Sequence, residues 1–256
     1  MKNLILVLAL ALPLYAQHEH HDMGSMDMGA KAEPEQKDAQ TSASADQQMD
    51  HHHMDMGPHM KLTPLRPATK ADQQRAAEIA SQTRAAIEKY TDVSVAERDG
   101  YKKFAPNLKR QKMYHYTNYW YAAEAAFRFN PEHPTSLLYQ DDGHGGVKLI
   151  GAMFTAPKNA TPEMLEQRVP LSVAQWHAHV NMCLPPKGYS IEEKRAAMFQ
   201  KNARFGFAGS ITTKEECEAA GGKFMPQVFG WMVHLYPWES DPQQVWSLEK
   251  QMDHQH

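Results

Sequence analysis

The sequence predicts an α+β domain with a mainly antiparallel sheet and flanking helices, preceded by a disordered tail. Three observations lead to this prediction. Residues 17–66 contain few branched or aromatic side chains, helix start signals lie early and late in the remaining sequence, and strand-like apolar runs lie between them. The predicted boundaries are therefore a signal peptide at 1–16, the tail at 17–66 and the α+β domain at 67–256.

The amino terminus has the features of an export signal. Lys2 precedes an apolar run at 4–14, and the small residue Ala16 follows at a suitable cleavage point. The run is about half of the ~20 apolar residues that span a bilayer, and no later segment comes close to that length. We therefore expect a periplasmic or secreted chain that begins at Gln17 and has no membrane span after signal cleavage. A retained signal acting as an anchor is the alternative.

The tail is acidic and rich in His and Met. Residues 17–60 carry nine Asp or Glu against two Lys or Arg, whereas 61–256 carry 21 against 24. Two related blocks, at 18–29 and 49–60, share the tetrapeptide MDMG, and the spacer between them contains neither His nor Met. Such a composition cannot bury enough apolar surface to offset the entropy of ordering, so we predict that the tail is disordered.

Helices are predicted where a capping residue precedes a suitable pattern. Thr69 caps a predicted helix that runs to about Tyr90 with its apolar residues on one face. Residues 93–100 predict a second short helix that ends at Gly100. Two later helices have start signals with capping-box spacing, which are Ser190 with Glu193 and Thr213 with Glu216.

Strand-like runs occupy four stretches, 137–139, 147–154, 176–183 and 229–236. The first two flank the turn sequence DDGHGG and predict a hairpin. Side chains alternate between the faces of a strand, so His177, His179 and Cys183 should share one face of the third run. By the same rule, Met232 and His234 share one face of the fourth.

The predicted core metal site consists of four histidines. Two imidazoles two residues apart on one strand, His177 and His179, can point at the same ion, and His234 joins them if its strand lies alongside. His115 is the fourth candidate, in the run MYHYTNYWY, whose aromatic residues we expect to wall the site. Glu124, just after this run, is a candidate general base. The alternative is that these histidines serve only in structural hydrogen bonds.

The two cysteines, Cys183 and Cys217, allow two predictions. In an exported protein two cysteines usually form a disulfide, here closing a loop of about 33 residues worth roughly 3–4 kcal/mol. The alternative is that Cys183 is a thiolate ligand beside His177 and His179, a set suited to copper.

The tail itself predicts metal binding. Thioether sulfur suits Cu(I), imidazole suits Cu(II), zinc and nickel, and carboxylates between them attract cations. Copper is favoured as the bound metal, with zinc as the alternative, and a solubilising linker is the competing interpretation. The predicted tail ligands are His18, His20, His21, Met23, Met26, Met28, His51, His52, His53, Met54, Met56, His59 and Met60.

Other function classes lack their motifs. The densest basic run is only Lys109, Arg110 and Lys112, so nucleic acid is not an expected partner. No GxSxG elbow or GxxxxGK[ST] loop occurs, and no GxGxxG follows a predicted strand.

Two family resemblances add to this interpretation. The tail resembles the Met/His-rich repeats of periplasmic copper-resistance proteins. Residues 90–246 contain the series YHYTNYW, SLLYQ, KLIGAMF and QWHAHVNMC, which resembles the oil-body-associated protein family and its uncharacterised exported bacterial relatives. The second resemblance implies a shared polar centre at His115, His177, His179 and His234, and it implies no activity. The tail and the cysteine pair depart from that family.

These observations predict an exported metal-binding protein for copper binding, buffering or delivery, with the metal ion as its partner. A metal-dependent oxidoreductase or hydrolase that uses the same histidines with Glu124 as base is the first alternative. A structural or interaction module without metal is the second. The sequence favours a binding protein over an enzyme and predicts no particular protein partner.

Overall fold

An antiparallel sheet packed on helices forms the described part of the chain. The computed structural model describes residues 57–106, 113–200, 202–248 and 250. The strands are β1 (Met60–Leu62), β2 (Lys102–Lys103), β3 (Met113–Thr117), β4 (Ser136–Asp141), β5 (Val147–Ala156), β6 (His177–Leu184), β7 (Lys223–Gln227) and β8 (Trp231–Leu235). The helices are α1 (Lys70–Ile87), α2 (Val93–Arg98), α3 (Tyr119–Glu124), α4 (Pro162–Arg168), α5 (Ile191–Phe199), α6 (Lys214–Ala219) and α7 (Pro242–Val245). The predicted α+β class is confirmed.

The strand order across the sheet is β1-β6-β8-β5-β4-β3-β2, and β7 pairs with β6 beside this path. Neighbouring strands in the described ranges pair antiparallel. The predicted hairpin is confirmed as β4 and β5, whose turn is closed by the Asp142 carboxylate, which accepts the backbone N–H of Gly146 at 2.9 Å. The predicted neighbour relation between the two late strands is also present, because His177 of β6 lies opposite Met232 of β8.

The predicted helix starts are confirmed at the capping residues. Thr69 accepts the N–H of Asp72, and the Asp72 carboxylate accepts the N–H of Thr69, so the two ends of a capping box are satisfied at the start of α1. After Ile87 the chain tightens into a 3₁₀ helix, Glu88–Thr91. Gly100, with φ +94°, follows α2 in a conformation that favours glycine.

Helices α1, α2 and α4 cover one face of the sheet. Phe154, Val233 and Leu235 are buried there against Ile79 of α1 and Leu165 of α4. Further along the same face lies a second cluster, which contains Tyr114, Tyr116, Leu137, Tyr139, Leu149 and Ala152 of the strands with Ile87, Tyr90, Ala96 and Tyr101. We call this the helix-covered face. It holds most of the large apolar side chains in the described core.

The predicted boundary of the tail at residue 66 is wrong. Met60–Leu62 form β1, which pairs with β6, and Thr63 is buried where its hydroxyl accepts the N–H of Trp176 at 3.0 Å. Composition missed this strand because its stability comes from main-chain hydrogen bonds, which any residue except proline can donate. The predicted signal peptide, and the tail up to residue 56, lie outside the described residues.

The predicted disulfide is confirmed. Cys183, in β6, is bonded to Cys217 in α6, with their Cα atoms 5.6 Å apart. Both cysteines pack with Phe205 and Ile211 in a small buried cluster. The bond leaves Cys183 no thiolate to offer a metal, so the His/His/Cys alternative is excluded. None of the helices in the described ranges is long and apolar enough to cross a membrane.

Candidate metal centre

The four predicted core histidines lie together on the sheet face opposite the helices. Ring centroids are 5.6 Å apart between His177 and His179, 5.3 Å between His177 and His234, and 5.5 Å between His234 and His115. The rings therefore form a continuous row from β6 through β8 to β3. We call this side of the sheet the histidine face.

Strand pairing explains why these side chains meet. On β8, Met232 and His234 alternate with Val233 and Leu235, which lie on the helix-covered face. β6 lies beside β8, which brings His177 next to His234. His115 lies on β3, three places from β8 in the sheet, so its side chain meets His234 over the two intervening strands.

Gly151 helps to make this approach. It lies on β5 opposite Leu138 of β4, and Leu138 lies opposite His115 of β3. A glycine at this point adds no side chain between His115 and His234. A Cβ atom there would lie 2.3 Å from the carbonyl oxygen of Leu235, so the close contact of β5 with β8 also depends on glycine.

The ring separations are close to those of two imidazoles that bind one metal ion, but the four rings form a row and do not surround a single point. With metal–nitrogen bonds of ~2.0–2.1 Å, two imidazoles on one tetrahedral ion have centroids about 5 Å apart. The three measured separations lie just above that value. Within the described ranges, no group of three or more His, Cys, Asp or Glu side chains already has the arrangement of a metal site.

Burial keeps the rings in the form that binds metals. It lowers the pKa of His115 to about 4, with a further contribution from the charge of His179. It likewise lowers the pKa of His179 to about 4, with a further contribution from His59. Both imidazoles are therefore neutral at neutral pH, and neutral imidazole is the ligating form.

His59 and Met60, predicted as tail ligands, lie beside β6 next to the core histidines. The backbone oxygen of His59 accepts the N–H of Val180, and Met60 lies opposite His179 in the β1–β6 pairing. The His59 ring is buried, with Nε2 2.6 Å from the carbonyl oxygen of Gly209. Because a carbonyl oxygen only accepts, Nε2 carries the proton of this hydrogen bond.

Two ring nitrogens near the β1 end of the row are buried without a hydrogen-bond partner, Nδ1 of His59 and Nδ1 of His179. Burying an imidazole nitrogen without a partner costs free energy. A metal ion is one kind of partner that would satisfy such a nitrogen. The remaining predicted tail ligands all lie outside the described residues. They are His18, His20, His21, Met23, Met26, Met28, His51, His52, His53, Met54 and Met56.

The aromatic wall of the centre differs from the one the sequence predicts. Tyr114 and Tyr116 lie on the helix-covered face, and Trp120 is 83% exposed. The Phe207 ring lies 4.8 Å from the His179 ring, and the Phe229 ring lies 6.3 Å from it. Alternation along MYHYT could have separated His115 from its tyrosine neighbours, whereas nothing in the sequence links the two phenylalanines to His179.

Glu124, the candidate base, has other partners. Its carboxylate lies 2.7 Å from Nδ1 of His133 and 2.5 Å from Nε of Arg128, and His133 stacks on Tyr121. The His133 hydrogen bond and, less strongly, Arg128 lower the pKa of Glu124. A lowered pKa makes a carboxylate a weaker base. These side chains line a small surface cleft, which none of the four core histidines lines.

Comparison with known proteins finds no relative. No family model, no curated protein and no solved structure matches the chain. The two resemblances described above are therefore unconfirmed.

Proposed function

We propose that this chain is an exported metal-binding protein that binds copper and buffers or delivers it. The observation that carries the proposal is the row of four histidine rings on one sheet face, at separations of 5.3–5.6 Å. Histidine is the commonest metal ligand, and its neutral ring suits copper and zinc alike. The tail sequence, with seven His and seven Met between residues 18 and 60, favours copper.

Two roles follow from the two parts of the chain. The tail repeats contain many potential ligands in a stretch whose composition predicts disorder, so we propose that they capture ions at modest affinity. The histidine face presents fewer donors from neighbouring strands, so its ligands lose less conformational freedom on binding and should hold an ion more tightly. The disulfide between Cys183 and Cys217 accords with an oxidising compartment outside the cytoplasm.

A metal-dependent enzyme using the same histidines is the competing hypothesis. Glu124 supports it little, because its carboxylate is engaged by His133 and Arg128. The two hypotheses differ in whether the bound ion keeps an open position. A storage or delivery site has all positions filled by protein, whereas a catalytic site binds water or an added ligand.

The test is metal binding by the full chain without its predicted signal peptide, purified without a His-affinity step. Copper and zinc are titrated separately into wild type and into the triple variant His177→Gln, His179→Gln, His234→Gln. We expect wild type to bind several copper ions and the triple variant to lose the tightest one while keeping the weaker tail sites. The control is His144→Gln, in the exposed β4–β5 turn, which should bind like wild type.

The contrary outcomes are distinct. Wild type that binds neither copper nor zinc overturns the proposal and leaves a structural module. If the triple variant binds copper with the same affinity as wild type, the histidine face is not the binding site. Azide added to the copper-loaded protein reports an open position: a changed Cu(II) absorption spectrum would favour the enzyme, and an unchanged one favours storage or delivery.

A further inference from the structure

Methionines lie opposite the histidines in three separate strand pairings. Met60 of β1 is opposite His179 of β6, Met232 of β8 is opposite His177 of β6, and Met153 of β5 is opposite His234 of β8. Directly opposite residues point to the same face, with Cβ atoms about 4.5–5.5 Å apart. Each of these three histidines therefore has a methionine directly opposite it on the same face of the sheet.

The remaining histidine of the row has a methionine on its own strand. Met113 and His115 are two residues apart on β3 and share a face. Met113, Met153 and Met232 are buried together with Leu138 and Tyr236. Four thioethers and four imidazoles thus occupy one side of the same sheet.

Methionine also serves as a simple filler of apolar cores, so packing must be considered as the reason for this set. The other side of the same strands argues against it. On β5 and β8 the helix-covered face is built from Leu149, Ala152, Phe154, Ala156, Trp231, Val233 and Leu235, with no methionine. If methionine served only to fill apolar volume, we would expect it on both faces of these strands. It occurs only on the histidine face of β5 and β8.

We propose that the histidine face is a soft-metal site that binds copper as Cu(I) through both imidazole and methionine thioether ligands. This inference rests on the proposed function and names the ion and its ligands. Thioethers are soft donors that favour Cu(I) over zinc. No redox step is required of the protein, because the ion is taken up and held as Cu(I).

Met60 and His179 are the pair through which the tail joins this site. Met60 is the last residue of the second tail block, and β1 places it directly on the edge strand of the histidine face. The neighbouring Nδ1 of His59, buried and without a hydrogen-bond partner, adds a further donor at this end.

The experiment measures Cu(I) affinity by competition with bicinchoninate under ascorbate, and Zn(II) affinity by competition with a zinc chelator. The full chain is compared with the double variant Met153→Leu, Met232→Leu, which keeps the side-chain volume. We expect Cu(I) binding at the tightest site to weaken roughly 10–100-fold, as for loss of groups that tune a metal site, with zinc affinity unchanged. The matched control is Met182→Leu, a buried methionine of β6 that lies opposite Met225 instead of a histidine.

A second measurement does not depend on how the variants fold. Wild type with ¹³C-methyl methionine is titrated with Ag(I), a redox-inert substitute for Cu(I), and the methyl signals are followed by NMR. The signals of Met153 and Met232 should shift with the first equivalent. If only the tail methyls shift, or if the double variant keeps its Cu(I) affinity, this inference is wrong while the proposed function stands. If wild type binds no copper at all, the proposed function fails first.

Discussion

The two faces of the sheet are made by alternate residues of the same strands, yet they differ in chemistry. On β8, Val233 and Leu235 are completely buried against helices, whereas Met232 and His234 lie between them on the histidine face. The helix-covered face gains stability from burying apolar area. The histidine face buries imidazoles, whose polar nitrogens are costly to take out of water. If the proposed function holds, stability and metal binding depend on opposite sides of one set of strands.

The largest expected effect tests this division within a single strand. Leu235→Ala removes a fully buried side chain from the helix-covered face, and we expect it to lower the free energy of unfolding by about 2–5 kcal/mol. His234→Gln, one residue away, should change stability less and should remove tight copper binding. Urea unfolding and copper titration of both variants provide the two measurements.

Two results would break the comparison at this strand. If Leu235→Ala is still mostly folded and loses copper binding as His234→Gln does, the two faces are not functionally separate. If His234→Gln is the more destabilised of the two, the histidine face contributes more to stability than we infer. Val233→Ala serves as a second substitution on the helix-covered face, since Val233 is also fully buried.

A smaller loss of stability is expected at Gly151, the glycine at the close contact between β5 and β8. Gly151→Ala would place a Cβ atom 2.3 Å from the backbone oxygen of Leu235 and 3.1 Å from the ring of Tyr236. Because backbone must then shift, we expect a loss of about 1–3 kcal/mol, the usual cost of overpacking. The shift would alter the β5–β8 pairing that places Met153 opposite His234, so tight copper binding should weaken as well.

The control for this substitution is Gly188→Ala, because no atom lies within 4 Å of the position its Cβ would take. Its thermal unfolding midpoint and copper affinity should stay close to those of wild type. If Gly151→Ala is as stable as wild type, the backbone of β5 does not lie as close to the Leu235 carbonyl oxygen as the structure indicates.

The sequence could predict the parts of the histidine face that depend on neighbours along the chain. Alternation places His177 and His179 together, and it separates Met232 and His234 from Val233. Alternation fails further along β6, because Asn181 has φ +54° and interrupts the extended backbone before Cys183. A local rule therefore holds only as far as the regular strand that it assumes.

The parts that depend on distant pairing could not be predicted. His115 reaches His234 across two other strands, and no period in the sequence encodes that sheet order. Composition places β1 in the tail, because its Met-Lys-Leu sequence follows polar residues. Its pairing with β6 uses main-chain hydrogen bonds, which composition does not reveal. The helix starts were predictable because their capping side chains act within three residues.

The third prediction concerns the part of the pH dependence of stability that two rings of the histidine face contribute. The folded-state pKa values of His115 and His179 are lowered to about 4, whereas unfolded histidine titrates near ~6.5. Between these values the unfolded chain binds more protons than the folded chain, so the stability of the metal-free protein falls as the pH falls from about 6.5 towards 4. Above that window the two rings contribute no pH dependence.

The variant His179→Gln isolates this contribution, since glutamine does not titrate. Unfolding of the variant should take up about one proton fewer in this window, which reduces the slope of stability against pH by at most ~1.4 kcal/mol per unit. Urea unfolding in the presence of a chelator, repeated from pH 7 to pH 4.5, measures the slope, and His144→Gln in the exposed turn is the comparison. An unchanged slope in His179→Gln would mean that this ring is already hydrated and able to take up a proton in the folded protein. The histidine face would then lack the buried, neutral rings that distinguish it from an ordinary polar surface.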